Sequence, residues 1–294
     1  MMTKTKADKY PQRVRNELRF RELTVLRVER AGAAFQRIVL GGEALEGFAS
    51  HGFDDHTKLF FPEPGAAFTP PQVTEEGIDW GEGFASHGFD DHTKLFFPEP
   101  GAAFTPPQVT EEGIDWGEGV RPATRDYTPL YDAERHELAY DFYIHDGGIA
   151  SRWALEAKVG DKLVIGGPRG SLVVPEDYAW QLYVCDESGM PALRRRLLGL
   201  RQLPARPQVT AIVTIADASY KDYLADLDGF NIEWVVGHNP AFVAERLAQV
   251  KVPAEDYFIW LTGEGAVVKS LLARFEDESI DQQLVRSQAY WHSK

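Results

Sequence analysis

Residues 47–82 recur without a single change as residues 83–118. Nothing else in the chain limits its fold as sharply, because each copy carries one strand-like run, His56–Pro62 and its twin His92–Pro98. A sheet has room for one such strand at a given place, so the copies compete for it. Solenoid repeats come in series and diverge. One unaltered copy of 36 residues reads instead as a recent tandem duplication or a product of sequence assembly. If the first copy pairs, the loop after it grows; if the second pairs, the loop before it grows. Loop closure separates the two by only about 0.4 kcal/mol, less than thermal energy, so sequence alone leaves the choice open. The displaced copy would expose Leu and Phe in a strand-forming run, an aggregation liability.

Without one copy the chain has 258 residues. Each copy holds seven Asp or Glu and one Lys, so the net charge then falls from −14 to −8. Either length suits two domains of ordinary size, and 44% hydrophobic residues suffice for real cores. The acidic balance disfavours nucleic acid as a partner. The lone cysteine, Cys185, excludes internal disulfides and cysteine-ligated clusters. The polar start lacks the apolar core of a signal peptide, and no run is long enough to span a membrane. A cytoplasmic monomer with no membrane insertion is expected, with residues 1–17 as a flexible tail.

The rhythm of the chain changes near residue 178. Before it, Phe20–Arg30, Phe35–Leu40, Glu137–His145 and Lys162–Gly166 read as strands, and Ala150–Lys158 as a lone helix. Leu138, Tyr140, Phe142 and Ile144 alternate onto one face. Short strands with Gly and Pro turns predict a closed antiparallel barrel over 18–177. After it, Trp180–Cys185, Val209–Ala216, Asn231–Val236 and Tyr257–Thr262 read as strands. Met190–Leu200, Ala241–Val250 and Ala266–Phe275 read as helices between and after them. That alternation predicts an α/β domain over 178–294, a parallel sheet with helices on both faces.

Two stretches of the first half point to a ligand. In Arg125-Asp126-Tyr127-Thr128-Pro129, strand alternation sets Arg125 and Tyr127 on one face and Asp126 and Thr128 on the other. A guanidinium suits a phosphate, a tyrosine suits a flat ring, and Pro129 should end the strand. An ordinary edge strand is the alternative. In His145–Trp153, Gly147 and Gly148 let backbone approach a ligand closely. The amides near Ala150 and Ser151 would then face an anion from a helix start; a plain N-cap at Ser151 is the alternative. The pair fits FAD, with its ring at one end and its pyrophosphate at the other. His145 ends its strand on the expected flavin side. In the second half, ligands belong at the carboxyl ends of the strands, where Asp186-Glu187-Ser188-Gly189-Met190-Pro191 and Gly263-Glu264 stand. Acidic loops that cap helices are the alternative there. Asp217, after the second strand of that half, suits a ribose hydroxyl and leans toward NADH. Tyr290 and Trp291 either cover the flavin ring or fray as a terminus. His51, Asp54, Asp55 and His56 match no strong ligand spacing, so no metal site is expected.

Taken together, RDYTP, the run from Asp141 to Leu163, GGPRGS at 166–171 and DESGMPALRR at 186–195 resemble the siderophore-interacting, ferric-siderophore reductase flavoproteins of the ferredoxin-reductase-like superfamily. DDHTKLFFP in each copy and WLTGE at 260–264 add to the resemblance. Leu130, Ile149 and Cys185 depart from the family's usual basic residue, proline and glycine. The resemblance implies an FAD-binding barrel followed by an NAD(P)H-binding domain. It implies that Arg125, Tyr127 and Thr128 contact FAD, that Ala150 and Ser151 lie at its pyrophosphate, and that NADH or NADPH reduces it. The expected cofactor contacts are therefore Arg125, Tyr127, Thr128, His145, Gly148, Ala150, Ser151, Asp186, Glu187, Pro191, Gly263, Glu264 and Trp291. The expected substrate is a ferric siderophore, drawn by Lys58 or Lys94, Arg152 and Arg169; solvated surface charge is the alternative for each. No side chain is expected to act as catalytic acid or base, because the flavin carries the chemistry. A general flavin or ferredoxin-type reductase, or a ferric-siderophore-binding protein without turnover, are the competing readings.

Overall fold

The computed structural model describes residues 9–17, 19–61, 72–74, 77–79, 108–110, 113–115 and 123–293. The first half contains strands β1 (Gln12–Arg15), β2 (Phe20–Ala31), β3 (Phe35–Gly41), β4 (Thr57–Phe61), β5 (Gln72–Thr74), β6 (Gly77–Asp79), β7 (Gln108–Thr110), β8 (Gly113–Asp115), β9 (Ala123–Tyr127), β10 (Leu130–Asp132) and β11 (Glu137–Tyr143). Helix α1 (Ile149–Glu156), β12 (Lys162–Gly166) and β13 (Gly170–Val173) complete it.

Seven of these strands form one antiparallel sheet, in the order β10-β11-β3-β2-β12-β4-β9. Its two edges, β9 and β10, are neighbours in sequence, separated only by Thr128 and Pro129. Three Cα steps carry the chain from Tyr127 to Leu130, at most about 11 Å, so the sheet must curl until its edges nearly meet. The sequence predicts a closed barrel. The structure has a curled sheet with no pairing between β9 and β10 among the described residues. Pro129 accounts for the gap, since it offers no amide to a ladder.

Alternate residues from five strands fill the inside of the curl: Leu23 and Val25, Ile38 and Leu40, Leu59 and Phe61, Leu138, Tyr140 and Phe142, and Leu163 and Ile165. Ala150 and Ala154 of α1 close one end of this core. Each fully buried Leu, Ile or Phe contributes about 1.5–3 kcal/mol, which fixes the register, because a one-residue slip would turn every one of them outward. The buried Tyr140 hydroxyl finds its partner in Thr57 Oγ1 at 2.5 Å.

The first copy of the duplicated segment occupies the sheet: β4 pairs β12 through Leu59–Ile165 and β9 through Leu59–Arg125. Phe53, also from that copy, packs edge-on against Tyr183 and Trp260 of the second half, at 6.0 and 5.4 Å. Local structure recurs in both copies nonetheless. The hairpins β5-β6 and β7-β8 have the same register, Val73–Ile78 and Val109–Ile114. The hairpin depends on neighbours in sequence and forms twice, while the strand depends on one place in the sheet.

The second half contains β14 (Trp180–Cys185), α2 (Met190–Arg201), β15 (Gln208–Ile215), β16 (Asn231–Val236), α3 (Pro240–Ala248), β17 (Tyr257–Glu264), α4 (Gly265–Leu272) and β18 (Val285–Trp291). Its five strands are parallel, in the order β16-β15-β14-β17-β18. The order reverses between β14 and β17, so the crevice at their carboxyl ends is where a ligand belongs. The hydrophobic core of this half reaches across the boundary to include Phe35 and Phe53.

Several short strands are not read in the sequence, and two of the departures change the reading of the termini. Gln12–Arg15, placed in the tail, pairs with β13, Gln12 opposite Val173 and Arg15 opposite Gly170. All four residues of β1 are exposed, which is why no alternation betrays it. Residues 285–291 form β18 along the edge of the parallel sheet rather than a frayed terminus. Among the described residues, no helix is long and apolar enough to cross a membrane.

Because the copies are identical, stability should report the competition between them. In the 258-residue chain lacking one copy, Leu59→Ala should lower unfolding free energy by about 2–5 kcal/mol in urea melts. In the full chain, Leu95 can take the same place at nearly equal loop cost, so Leu59→Ala should cost under about 1 kcal/mol. Equal losses in both chains would show that the first copy alone can serve.

Candidate functional site

The seam between the sheet edges faces the second half of the chain. Arg125 is exposed, with Nη1 donating to the Thr124 carbonyl at 2.7 Å. Tyr127 instead turns toward the core, its ring 4.5 Å from that of Phe142, and burial raises its phenol pKa. Thr128 is buried at the seam. Beside it lies the Tyr290 hydroxyl from β18, which is buried and, weak contact with Thr128 aside, has no hydrogen-bond partner among the described residues. An orphaned buried hydroxyl is rare in a folded protein. Burial pushes its pKa well up.

The start of α1 is the second element. Gly148 is its N-cap residue, and no side chain caps the helix. The amides of the first turn are therefore left by helix geometry to an outside acceptor. Ser151 does not cap: its hydroxyl donates to the Tyr143 carbonyl at 3.0 Å and accepts from the His145 amide at 3.3 Å, which folds the loop back onto β11. A Cβ on Gly148 would lie 2.7 Å from the His145 ring and 3.0 Å from Ser151 Oγ, so only glycine brings the backbone this close. His145 is exposed and its ring stacks 5.8 Å from that of Tyr143.

The third element is the crevice between β14 and β17. Asp186 accepts from Ser188 N at 2.9 Å, from Glu264 N at 3.1 Å and from Trp291 Nε1 at 2.8 Å. Gly263 makes this possible; it sits at φ +138, and a Cβ there would lie 2.6 Å from the Asp186 carboxylate. Four of the residues expected at a cofactor thus meet at one point. Their carboxylates, however, serve backbone amides. Glu187 is buried and accepts from Ala216 N at 2.6 Å and meets His238 Nε2 at 2.9 Å. Glu264 caps α4 through Ala266 N and Val267 N, and Asp217 takes Ser219 N at 2.8 Å. Asp186, Asp217 and Glu264 each cap the helical turn that follows, while Glu187 ties its loop to Ala216 and His238, so the loop backbone is the part of these segments left open. Pro191 is buried in the first turn of α2.

The expected substrate-facing cations are less uniform. Lys58 pairs with Asp126 across β4 and β9 at 2.8 Å, so its charge is already met. Arg152 and Arg169 are exposed, and Lys94 lies outside the described residues. Asp54 and Asp55 do not gather as metal ligands. Asp54 accepts from Trp260 Nε1 at 3.3 Å and from Arg286 Nε at 3.0 Å, and Asp55 from Ser171 Oγ at 2.6 Å and Gly52 N at 3.0 Å.

Sequence reasoning missed the residues that join the two halves. Asp141, fully buried, takes a two-pronged bond from Arg37 at 2.7 Å and the Tyr223 hydroxyl at 2.5 Å. Arg195 of α2 reaches Ser50 and the Pro129 carbonyl. The only sequence signal was Asp141 itself, a charge on a strand otherwise rich in apolar and aromatic residues.

These features fit FAD: an uncapped helix start with glycine at closest approach, and a buried hydroxyl lacking a partner beside Thr128. Comparison with known proteins agrees. The siderophore-interacting FAD-binding domain matches residues 24–83 and again 81–172, the break falling at the junction of the two copies, and the siderophore-interacting protein family matches 178–294. The chain belongs to the siderophore-interacting protein family, flavin-binding proteins of two joined folds. It is 61% identical over 286 residues to the NADPH-dependent ferric-chelate reductase of Escherichia coli K12, covering 97% of this chain and 98% of that one. Ferric vibriobactin reductase ViuB of Vibrio cholerae is 26% identical over 79% of this chain and 74% of its own. The crystal structure of a siderophore utilization protein from T. fusca superposes with a TM-score of 0.72 at 27% identity, over 96% of each chain.

The cap on α4 gives a pH test. Amides of Val267 and Ser293 hold the Glu264 carboxyl below its ordinary range. A depressed folded-state pKa stabilises above the unfolded value, near 4.3, and is lost as pH falls through the lower folded value. The Tm difference between the wild type and Glu264→Ala should be largest near pH 7 and shrink below about pH 4. A difference that does not change with pH would rule out the charged cap.

Proposed function

We propose that this chain is an FAD-dependent NAD(P)H:ferric-siderophore reductase that frees iron by reducing Fe(III) chelates to Fe(II) in the cytoplasm, as a monomer. The observation that carries the reading is the 61% identity, over nearly the whole chain, to an NADPH-dependent ferric-chelate reductase. The seam and the uncapped helix support it independently.

Bound FAD would take two electrons as a hydride from the nicotinamide and pass them on singly, so one dinucleotide serves two Fe(III) ions. The protein's part is to hold and orient. The α1 amides near Ala150 and Ser151 would meet the pyrophosphate, with Gly148 giving room and Arg125 a cation. Thr128 and the Tyr290 hydroxyl would face the ring system. Tyr290 is free to donate there because no acceptor among the described residues takes its proton. The dinucleotide belongs over the backbone of Gly263–Glu264 and the loop from Asp186 to Pro191. The lean toward NADH rested on Asp217, whose carboxylate is engaged by Ser219. With the relative named for NADPH, NADPH is the donor we propose. The chelate needs no acid or base: hard oxygen ligands suit Fe(III) far better than Fe(II), so reduction alone loosens the metal. Arg152 and Arg169 remain the candidates for drawing an anionic chelate.

The folded protein should be yellow, lose its colour anaerobically with NADPH and regain it with a ferric siderophore. Return of colour much faster with free FAD or ferredoxin than with the chelate would assign it to the general reductases. Colourless protein that refuses added FAD would end the flavin reading. Gly148→Val should weaken FAD binding about ten-fold or more, roughly 1.4 kcal/mol, as measured by flavin fluorescence. Unchanged affinity would move the pyrophosphate away from α1.

A further inference from the structure

Arg195 has an unusual set of partners. It stands on α2, whose neighbouring residues Leu193, Arg196 and Leu197 are buried in the second half. Its own guanidinium crosses to the first half. There Nη1 donates to Ser50 Oγ at 2.8 Å and to the Pro129 carbonyl at 3.3 Å, and Nη2 donates to the Ser50 carbonyl at 2.5 Å. All three acceptors are uncharged oxygens, and Asp54 and Asp55 act on it only at longer range. Burial works against its charge, lowering its pKa. A half-buried cation without a carboxylate partner is a poor device for stability alone. What the planar fork does supply is geometry, since it fixes two separate main-chain oxygens at once.

One of those points, Pro129, lies in the seam itself. Pro129 directly follows Thr128, and Ser50 precedes the segment that carries Phe53, Asp54 and Asp55 to the interface. At the other end, α2 follows directly on the loop Asp186–Gly189, at the ligand crevice of the parallel sheet. One helix therefore ties the dinucleotide crevice to the strand end expected to face the flavin.

We propose that Arg195 is a positioning residue for hydride delivery, setting the flavin-facing seam at Thr128-Pro129 against the dinucleotide loop at Asp186–Gly189. The inference rests on the reductase reading above. It assigns Arg195 to one half-reaction only. Hydride transfer needs both halves in register, because a displacement of about 1 Å costs up to about a hundred-fold in rate. Electron delivery from reduced flavin to the chelate needs only the first half.

The test separates the two half-reactions by anaerobic stopped flow on the FAD-loaded full chain. Wild type, Arg195→Met and Arg195→Lys are each reduced with saturating NADPH. In a second experiment each is reduced with dithionite and mixed with ferric tris-catecholate. Arg195→Met should slow bleaching by NADPH about ten- to a hundred-fold, with reoxidation by the chelate within about two-fold of wild type. The isotope effect with NADPH deuterated at the transferred position should rise, and Arg195→Lys, which keeps one cation but not the fork, should fall between. Equal loss in both half-reactions would mark Arg195 as merely structural. Unchanged bleaching would also overturn the proposal. If Arg195→Met does not hold FAD, the same criteria applied to Arg195→Lys decide. Wild-type protein that NADPH cannot bleach would instead bring down the reductase reading itself.

Discussion

Two residues, Thr128 and Pro129, hold together the opposite edges of a seven-stranded sheet. A link that short leaves the sheet no choice but to curl, and the curl creates the inside that Leu59, Tyr140 and Phe142 fill. Because Pro129 cannot pair, the edges meet without a ladder, and the seam stays open to the second half of the chain. Thr128, the Arg195 fork and the Tyr290 hydroxyl all converge there. The same dipeptide thus shapes the sheet and places the groups best suited to a flavin.

The joint between the halves follows from that opening. Beside the Arg195 fork, its polar members include two buried carboxylates of the first half, Asp141 and Asp54, each met by a donor from the second: the Tyr223 hydroxyl, and Arg286 with Trp260. A buried carboxylate stripped of one partner is costly, so these pairs enforce a single docking geometry more than they add stability. Phe53 and Phe35 extend the hydrophobic core of the second half across the same boundary. Such a joint suits a reaction in which a donor held by one half must reach an acceptor held by the other.

Much of this was legible in the chain. Regular alternation revealed β11, and a buried β-branched run revealed β15. The motifs around Thr128 and Gly148 were found by their residue types. The losses have a common cause, since sequence shows which groups are polar but not which partner each will find. Asp186, Glu187 and Glu264 look like ligand contacts because they stand at the right strand ends; their carboxylates are taken by amides only visible once the loops are folded. Lys58 looks like a free cation until β4 and β9 set it against Asp126. Strand β1 went unread because all four of its residues are exposed, which erases the period-two pattern; β18, partly buried along most of its length, shows no such pattern either. The choice between identical copies was open in sequence by construction, and only the three-dimensional pairing of Leu59 resolves it.

The position of β12 has a consequence for how the chain comes to be folded. Although last in sequence among the seven strands, it lies between β2 and β4. Until Lys162–Gly166 leaves the ribosome, the sheet exists only as two separate pieces, β10-β11-β3-β2 and β4-β9, each with a bare edge along its flank. Assembly therefore waits on a contact between segments more than a hundred residues apart, which makes it slow. During synthesis the unpaired flanks of β2 and β4 are the surfaces most in need of a chaperone's cover.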